Sequence, residues 1–246
     1  MRLIRASWSA PAQIHALTTT RLGGVSRAPY NGLNLGDHVG DVAADVASNR
    51  NLLVQATGLK TPPQWLQQVH GIEVVEAKSD AQVRRADACF TATPGQACIV
   101  MTADCLPVLF TNRQGTRVAA AHAGWRGLAA GVLENTLKSF SPEDEVLAWL
   151  GPAIGPLAFE VGGEVKQAFV EQHQEAESAF KTSPTHPADR YLADIYQLAR
   201  IRLKSAGVVE VSGGEHCTFS DTENFFSYRR DGDTGRMASL IWIEPA

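Results

Sequence analysis

Three short apolar runs follow one another closely, at residues 99–102, 106–110 and 118–121. Each is bounded by turn residues and reads as a buried strand, with residues 112–115 breaking the last two apart. A chain built this way must bury a sheet. The same stretch also carries its reactive side chains at strand ends. Asp104 and Cys105 end the first run and His122 ends the third. AGWRG follows, then a helical pattern with Leu128, Val132, Leu133, Leu137 and Phe140 on its apolar side.

Composition narrows the partners. The 246 residues suffice for one substantial core. A net charge of −4 without any basic run argues against nucleic acid as the main partner. The first residues, MRLIRASWSAPAQ, lack the apolar core of a signal peptide, and no later run is long enough to span a bilayer. A cytoplasmic protein without a membrane partner is the expectation. The four cysteines form no CxxC pair, so local spacing offers no structural zinc module. Cys89 and Cys98 lie inside apolar segments and read as buried free thiols.

Along the rest of the chain, residues 14–20 read as a strand and residues 21–41 as a long glycine-rich loop carrying Arg21, Asn34, Asp37 and His38. Residues 41–57 follow helical spacing, with Gly58 as the C-terminal cap. QWLQQVHG and IEVVEA read as two strands flanking His70-Gly71. Residues 146–150 form a strand, residues 159–161 a short extended piece, and residues 163–173 a helix. The polar stretch 174–190 reads as a mobile loop, residues 191–206 as an amphipathic helix, and the FFSYRRDGDTGRMASLIWI segment as strands around a turn at residues 231–235. Strands and helices mix without regular alternation and without repeats. The expected fold is a single α+β domain over residues 1–246, with mixed sheets flanked by helices.

Catalytic zinc takes three protein ligands and keeps one position open. His70, Cys105 and His122 each lie at or beside a predicted strand end; if those ends converge, they supply one thiolate and two imidazoles. The competing assignment is a metal-free Cys105–His122 nucleophile pair. Asp104 suits a general acid or base, or a hydrogen bond to a ligand imidazole. Arg126, in the first turn of its helix, does nothing for the helix dipole and is free to hold phosphate. Arg229 and Arg230, read as strand neighbours, point to opposite faces, so one of them can face a site. Glu160, flanked by Phe159 and Val161, needs a partner if buried, and an arginine would serve.

The motifs TTRLGGVS, NLG, QVHG, MTADCLPVLF, AAAHAGWRGLAAGV, LGPAIGP, FEVGGEV, YLADIYQLAR and FFSYRRDGDTGRMASLIW span almost the whole chain. With them the chain closely resembles the YfiH family, the bacterial laccase-domain proteins also known as polyphenol oxidases and as purine nucleoside phosphorylases. The resemblance implies zinc, with copper as the alternative, on His70, Cys105 and His122. It implies phosphorolysis of adenosine, inosine and S-methyl-5′-thioadenosine, with adenosine deamination at the same site. Its fold is likened to that of certain cysteine-hydrolase toxins, and some members are linked to peptidoglycan-precursor editing. On that basis Asp104, Cys105 and His122 are the expected catalytic residues. Arg21, Asn34, Arg126, Glu160, Arg229 and Arg230 are the expected contacts to nucleoside and phosphate. A monomer or weak homo-oligomer is expected. The oxidase alternative fits poorly with 7 histidines and no His-x-His pair.

Overall fold

A computed structural model describes residues 1–245, so the last residue of the expected 1–246 domain lies outside it. Two sheets dominate. The larger has six strands, in the spatial order Glu210–Gly213, Val146–Leu150, Leu106–Asn112, Val118–Ala123, Ala88–Thr91 and Val74–Glu76. Its outermost pairings are parallel and the three inner ones antiparallel, so the sheet is mixed, as expected. The smaller has four antiparallel strands, Leu3–Arg5, Ile14–Thr19, Met237–Ile243 and Cys98–Thr102.

Alternating side chains sort into three apolar layers, as period-two geometry requires. Val108, Phe110 and Ala121 face helices that carry Leu128, Leu133 and Leu198. Leu109 and Ala120 point the other way and meet Val100 and Ile241 between the two sheets. Ile99, Met101 and Leu240 form the outer face of the small sheet, beneath Leu53 of the helix Ala43–Thr57. Central strands are thus buried on both faces, which is why they read as continuous apolar runs rather than alternating ones. The three runs that anchor the sequence do not share a sheet. The chain leaves the small sheet at Thr102 and enters the large one at Leu106. Asp104, at φ 91°, makes that crossing.

Several local expectations change. The helix after AGWRG is two, Trp125–Ala130 and Val132–Leu137, because Gly131 takes φ 101° between them. The helix expected over 191–206 starts at Ile195. Asp194 accepts the Gln197 N–H at 3.0 Å and caps it there. The residues before it, Arg190–Ala193, instead pair with Glu160–Gly162 and Phe180–Thr182 in a three-stranded sheet. The stretch expected as a mobile loop contains a 3-10 helix, Gln174–Ala179, and the strand Phe180–Thr182. Buried Ala176, Ala179 and Phe180 pin it, an apolar minority easily missed among Gln and Glu. Before the 231–235 turn there is no strand but a single helical turn, Tyr228–Asp231, capped by the Ser227 hydroxyl, which accepts the Arg230 N–H at 3.2 Å.

Candidate metal centre

Three strand ends meet where the chain crosses between sheets. Cys105 stands just before Leu106–Asn112. His122 lies in Val118–Ala123 and pairs in register with Pro107. His70 sits on the tight loop between the short strands Leu66–Gln67 and Val74–Glu76, at φ 60°. One nitrogen from each histidine and the Cys105 Sγ all lie within 4.8 Å of one another. Cys105 Sγ is 3.7 Å from His70 Nε2, and the two imidazoles meet nearly edge-on, at 74°. Among the described residues no other group of His, Cys, Asp and Glu gathers in this way.

A residue that sequence reasoning passed over organises the group. Asp87 is fully buried and its carboxylate receives four donors. His122 Nδ1 lies 2.8 Å from Oδ1. The backbone N–H groups of Val69, His70 and Gly71 donate at 3.2, 2.9 and 2.7 Å. One carboxylate therefore orients the His122 ring and folds the loop that presents His70. With Nδ1 engaged, His122 turns Nε2 toward Cys105, the usual arrangement of a metal-ligating histidine. The sequence did hold a signal: Asp87 is a lone acid among alanines beside a buried strand, and a buried carboxylate must find donors.

Electrostatics suit a metal ligand set. Burial pushes the Cys105 thiol up, but the His122 and His70 imidazoles outweigh it and bring it down to about 6. Burial pushes His122 down, yet the Cys105 thiolate and Asp87 carry it up to about 9. In the absence of a cation, an imidazolium stands between two anions. A divalent ion would replace that proton, so binding is accompanied by proton release.

Glycine is required beside the group. A Cβ at Gly124 would stand 2.8 Å from His70 Cδ2 and 3.0 Å from Cys105 Sγ. Gly124→Ala is expected to push the His70 ring aside and lower the affinity for a divalent metal ion roughly 10–100-fold, the range for lost ligand support. Competition against a chromophoric chelator measures it; unchanged affinity would mean that His70 is no ligand.

Two of the three gathered residues, His70 and Cys105, line a pocket of about 280 Å³, while His122 is buried behind them. Its lining joins His70, Cys105 and Asp104 to the apolar side chains Ile154, Phe159 and Ile195 and to Trp125, Arg126, Tyr228 and Arg229. A wider hollow of about 500 Å³, between Thr61, Lys78 and Gln96, includes none of the three ligands. Arg126 stacks over Trp125, 4.4 Å from the ring centroid, and its guanidinium has no hydrogen-bond partner among the described residues. Arg229 donates from Nη1 to the Glu160 carbonyl at 2.8 Å and lies over the Phe159 ring.

The other expected contacts sit elsewhere. Arg230 turns away and donates to the carbonyls of Thr218, Phe219 and Phe225. It differs from Arg229 because the two lie on a helical turn, not on a strand. Arg21 binds Asn31 and the Thr222 carbonyl and stacks on Phe226, lining a separate hollow. Asn34 is fully buried, and its amide bonds Gly36, Asp41 and the Arg236 N–H, fixing the glycine-rich loop. Glu160 finds no arginine for its carboxylate; Ser183, Thr185 and His186 surround it instead. Burial opposes those bonds only weakly, and they hold the Glu160 carboxyl at about 2. Asp104 lines the pocket, but Thr218, Ser227 and the Arg229 N–H already occupy its carboxylate.

The chain thus combines a mixed α+β fold with a Cys/His/His group that could hold a metal ion, next to a pocket lined by two arginines. The sequence pattern of the family described as multi-copper polyphenol oxidoreductase laccase matches residues 15–244. The chain belongs to this laccase-domain family, which includes the YfiH proteins. A purine nucleoside phosphorylase of Pseudomonas aeruginosa is 60% identical over 238 residues, covering 96% of each chain. The purine nucleoside phosphorylase YfiH of Escherichia coli is 55% identical, over 98% of this chain and 99% of its own. Among solved structures, a Neisseria meningitidis protein superposes with a TM-score of 0.95 at 51% identity, with complete coverage of both chains. The YfiH protein of Bacillus licheniformis superposes at 0.85 with 29% identity, over 94% of this chain and 93% of that one.

Proposed function

We propose that this chain is a cytoplasmic purine nucleoside phosphorylase, one catalytic domain that cleaves adenosine, inosine and S-methyl-5′-thioadenosine with phosphate and also deaminates adenosine. The observation that carries the reading is the joining of a Cys/His/His ligand set to a pocket with an apolar wall and two cations. The relatives' names point the same way.

His70, Cys105 and His122 would hold zinc, and the fit rests on the donor set and on the Nε2 of His122 that Asp87 leaves available. A zinc ion held by these three side chains would supply Lewis acidity next to the pocket. The protein's own side chains do the rest. Phe159, Ile154 and Ile195 offer a dry surface against which a purine can lie. Arg126 and Arg229 neutralise phosphate and place it against a ribose that becomes cationic as its bond to the base breaks. Proton transfer falls to solvent rather than to Asp104, whose oxygens are filled by donors.

Arg126 has the looser tether, so its loss is felt mainly in phosphate binding. Arg126→Ala is expected to raise the KM for phosphate by about tenfold or more, the equivalent of one hydrogen bond to a charged group. Initial rates over a phosphate series check this, and an unchanged KM would leave Arg126 outside the site.

The oxidase reading takes support from the family description alone. A multicopper cluster needs more histidines than the single gathered group provides. Incubation of the purified protein with adenosine, with and without phosphate, separates these chemistries. Adenine with ribose 1-phosphate supports phosphorolysis, and inosine formed without phosphate supports deamination. Phenol oxidation with several copper ions per chain, and no nucleoside turnover, would replace the proposal.

A further inference from the structure

Asp104 adjoins a proposed metal ligand, lines the pocket and sits at φ 91°, a conformation that few residues other than glycine adopt. Its placement invites an acid–base role, but its surroundings are those of a structural acceptor. Only 8% of the residue is exposed. Oδ1 accepts the Thr218 hydroxyl at 2.6 Å, and Oδ2 accepts the Ser227 hydroxyl at 3.0 Å and the Arg229 backbone N–H at 2.7 Å. Thr218 and Ser227 are themselves fully buried. A carboxylate that receives three donors in a closed setting holds its neighbours in place and has little freedom to pass a proton.

Those neighbours belong to one device. Ser227 caps the turn Tyr228–Asp231, and Arg229 lies within that turn. The Arg229 main chain is thus held by Asp104, while its side chain is held by the Glu160 carbonyl and rests over Phe159. Cys105 is the next residue after Asp104, so a single peptide ties the thiolate of the ligand set to the backbone of a pocket cation. The neighbouring Arg230 of the same turn is held away from the pocket by the carbonyls of Thr218, Phe219 and Phe225.

We infer that Asp104 is a positioning residue that sets the Arg229 guanidinium at a fixed place relative to the ligand group, for the anion that the pocket takes. This deepens the proposed phosphorylase reading and rests on it for the identity of the anion. The assignment separates from acid–base catalysis through the side chain's two functions. Asparagine tolerates positive φ and keeps one oxygen for Ser227 and the Arg229 N–H, while its amide can donate to the Thr218 hydroxyl. It cannot serve as an acid or base. Glycine accepts φ 91° without strain but offers no acceptor.

The test compares Asp104→Asn and Asp104→Gly in the zinc-loaded full chain, reading zinc content, kcat, KM for phosphate, and the binding of inorganic phosphate by calorimetry without nucleoside. Asp104→Gly is expected to retain wild-type zinc while phosphate KM and dissociation constant rise at least about tenfold, on the scale of a lost charge-assisted hydrogen bond. Asp104→Asn is expected to restore both to within about threefold of wild type, because an amide oxygen still accepts the Arg229 N–H. An Asn variant as impaired in kcat as the Gly variant, with one limb of the pH–rate profile gone, would make Asp104 an acid or base and overturn the inference. So would zinc loss in the Gly variant, or unchanged phosphate binding. If the wild type turns over no nucleoside yet binds phosphate, and Asp104→Gly weakens that binding, the phosphorylase reading falls and the positioning role stands.

Discussion

Cys105→Ala protein is expected to purify without stoichiometric zinc and to release neither free base nor ribose 1-phosphate from adenosine. Cys105 is the sulfur donor of the gathered group, and two imidazoles alone leave a site one ligand short of the usual three. The substitution should not unfold the chain. Cys105 precedes the strand Leu106–Asn112 and is not fully buried, and the strand's own core contacts, through Leu106 and Val108, remain intact. Circular dichroism and a melting temperature near that of the metal-free wild type would confirm that loss of activity is loss of the site. Metal content by mass spectrometry is read beside product analysis. Full phosphorolysis in a zinc-free Cys105→Ala protein would mean that the ligand group is not the catalyst and that the two pocket arginines do the work alone.

Asp87→Asn is expected to be nearly as damaging, although Asp87 touches no substrate. Both of its oxygens face donors: Oδ1 meets His70 N and His122 Nδ1, and Oδ2 meets Val69 N and Gly71 N. Whichever oxygen becomes NH2, a donor is pressed against donors. One orientation opens the His70 loop. The other lets the amide donate to His122 Nδ1, which moves the ring proton to Nε2, where the cation should bind. Either way zinc affinity is expected to fall about 10–100-fold, the range for removal of a ligand's orienting carboxylate. Leaving a buried donor unsatisfied costs a further 1–3 kcal/mol of stability, roughly. Chelator competition and a denaturant titration of the metal-free protein read the two effects separately. An Asp87→Asn protein with wild-type affinity would show that His70 and His122 orient themselves. The contrast with Asp104 is chemical: the Thr218 hydroxyl facing Asp104 can accept from an amide, whereas Asp87 faces three backbone N–H groups and an imidazole whose tautomer the amide would reverse.

The meeting of His70, Cys105 and His122 was legible in the sequence because strand ends are easy to find when strands are buried on both faces. The runs ending at Thr102 and beginning at Leu106 put Cys105 between two sheets, and the Val118 run carried His122 to the same level. His70 was harder, since the strands that flank it are only two and three residues long and its loop is shaped by Asp87 rather than by local turn chemistry. The acceptor role of Asp87 depends on partners at residues 69–71 and 122, a long-range fact that no spacing rule records. The partners of the polar residues were not legible for the same reason: Asn34, Arg21 and Glu160 are each hydrogen-bonded to their own surroundings, which lie far off in sequence or in loops of no regular spacing. Arg126 and Arg229 reach the pocket because the elements that carry them begin beside Cys105 and Asp104. The helix boundary at Ile195 was lost to a run of apolar residues that fits helical spacing as well as it fits an edge strand, until Asp194 is recognised as a cap.

X-ray absorption spectroscopy of the zinc-loaded protein bears most directly on the central assignment. The spectrum is expected to show one sulfur at about 2.3 Å with nitrogen and oxygen neighbours at about 2.0–2.1 Å, including imidazole scattering from two histidines. On adding a nucleoside with phosphate, the light-atom shell should change while the sulfur and imidazole contributions stay fixed. A spectrum without sulfur, or one with a closed four-ligand protein shell that ignores substrate, would contradict a catalytic site built from His70, Cys105 and His122.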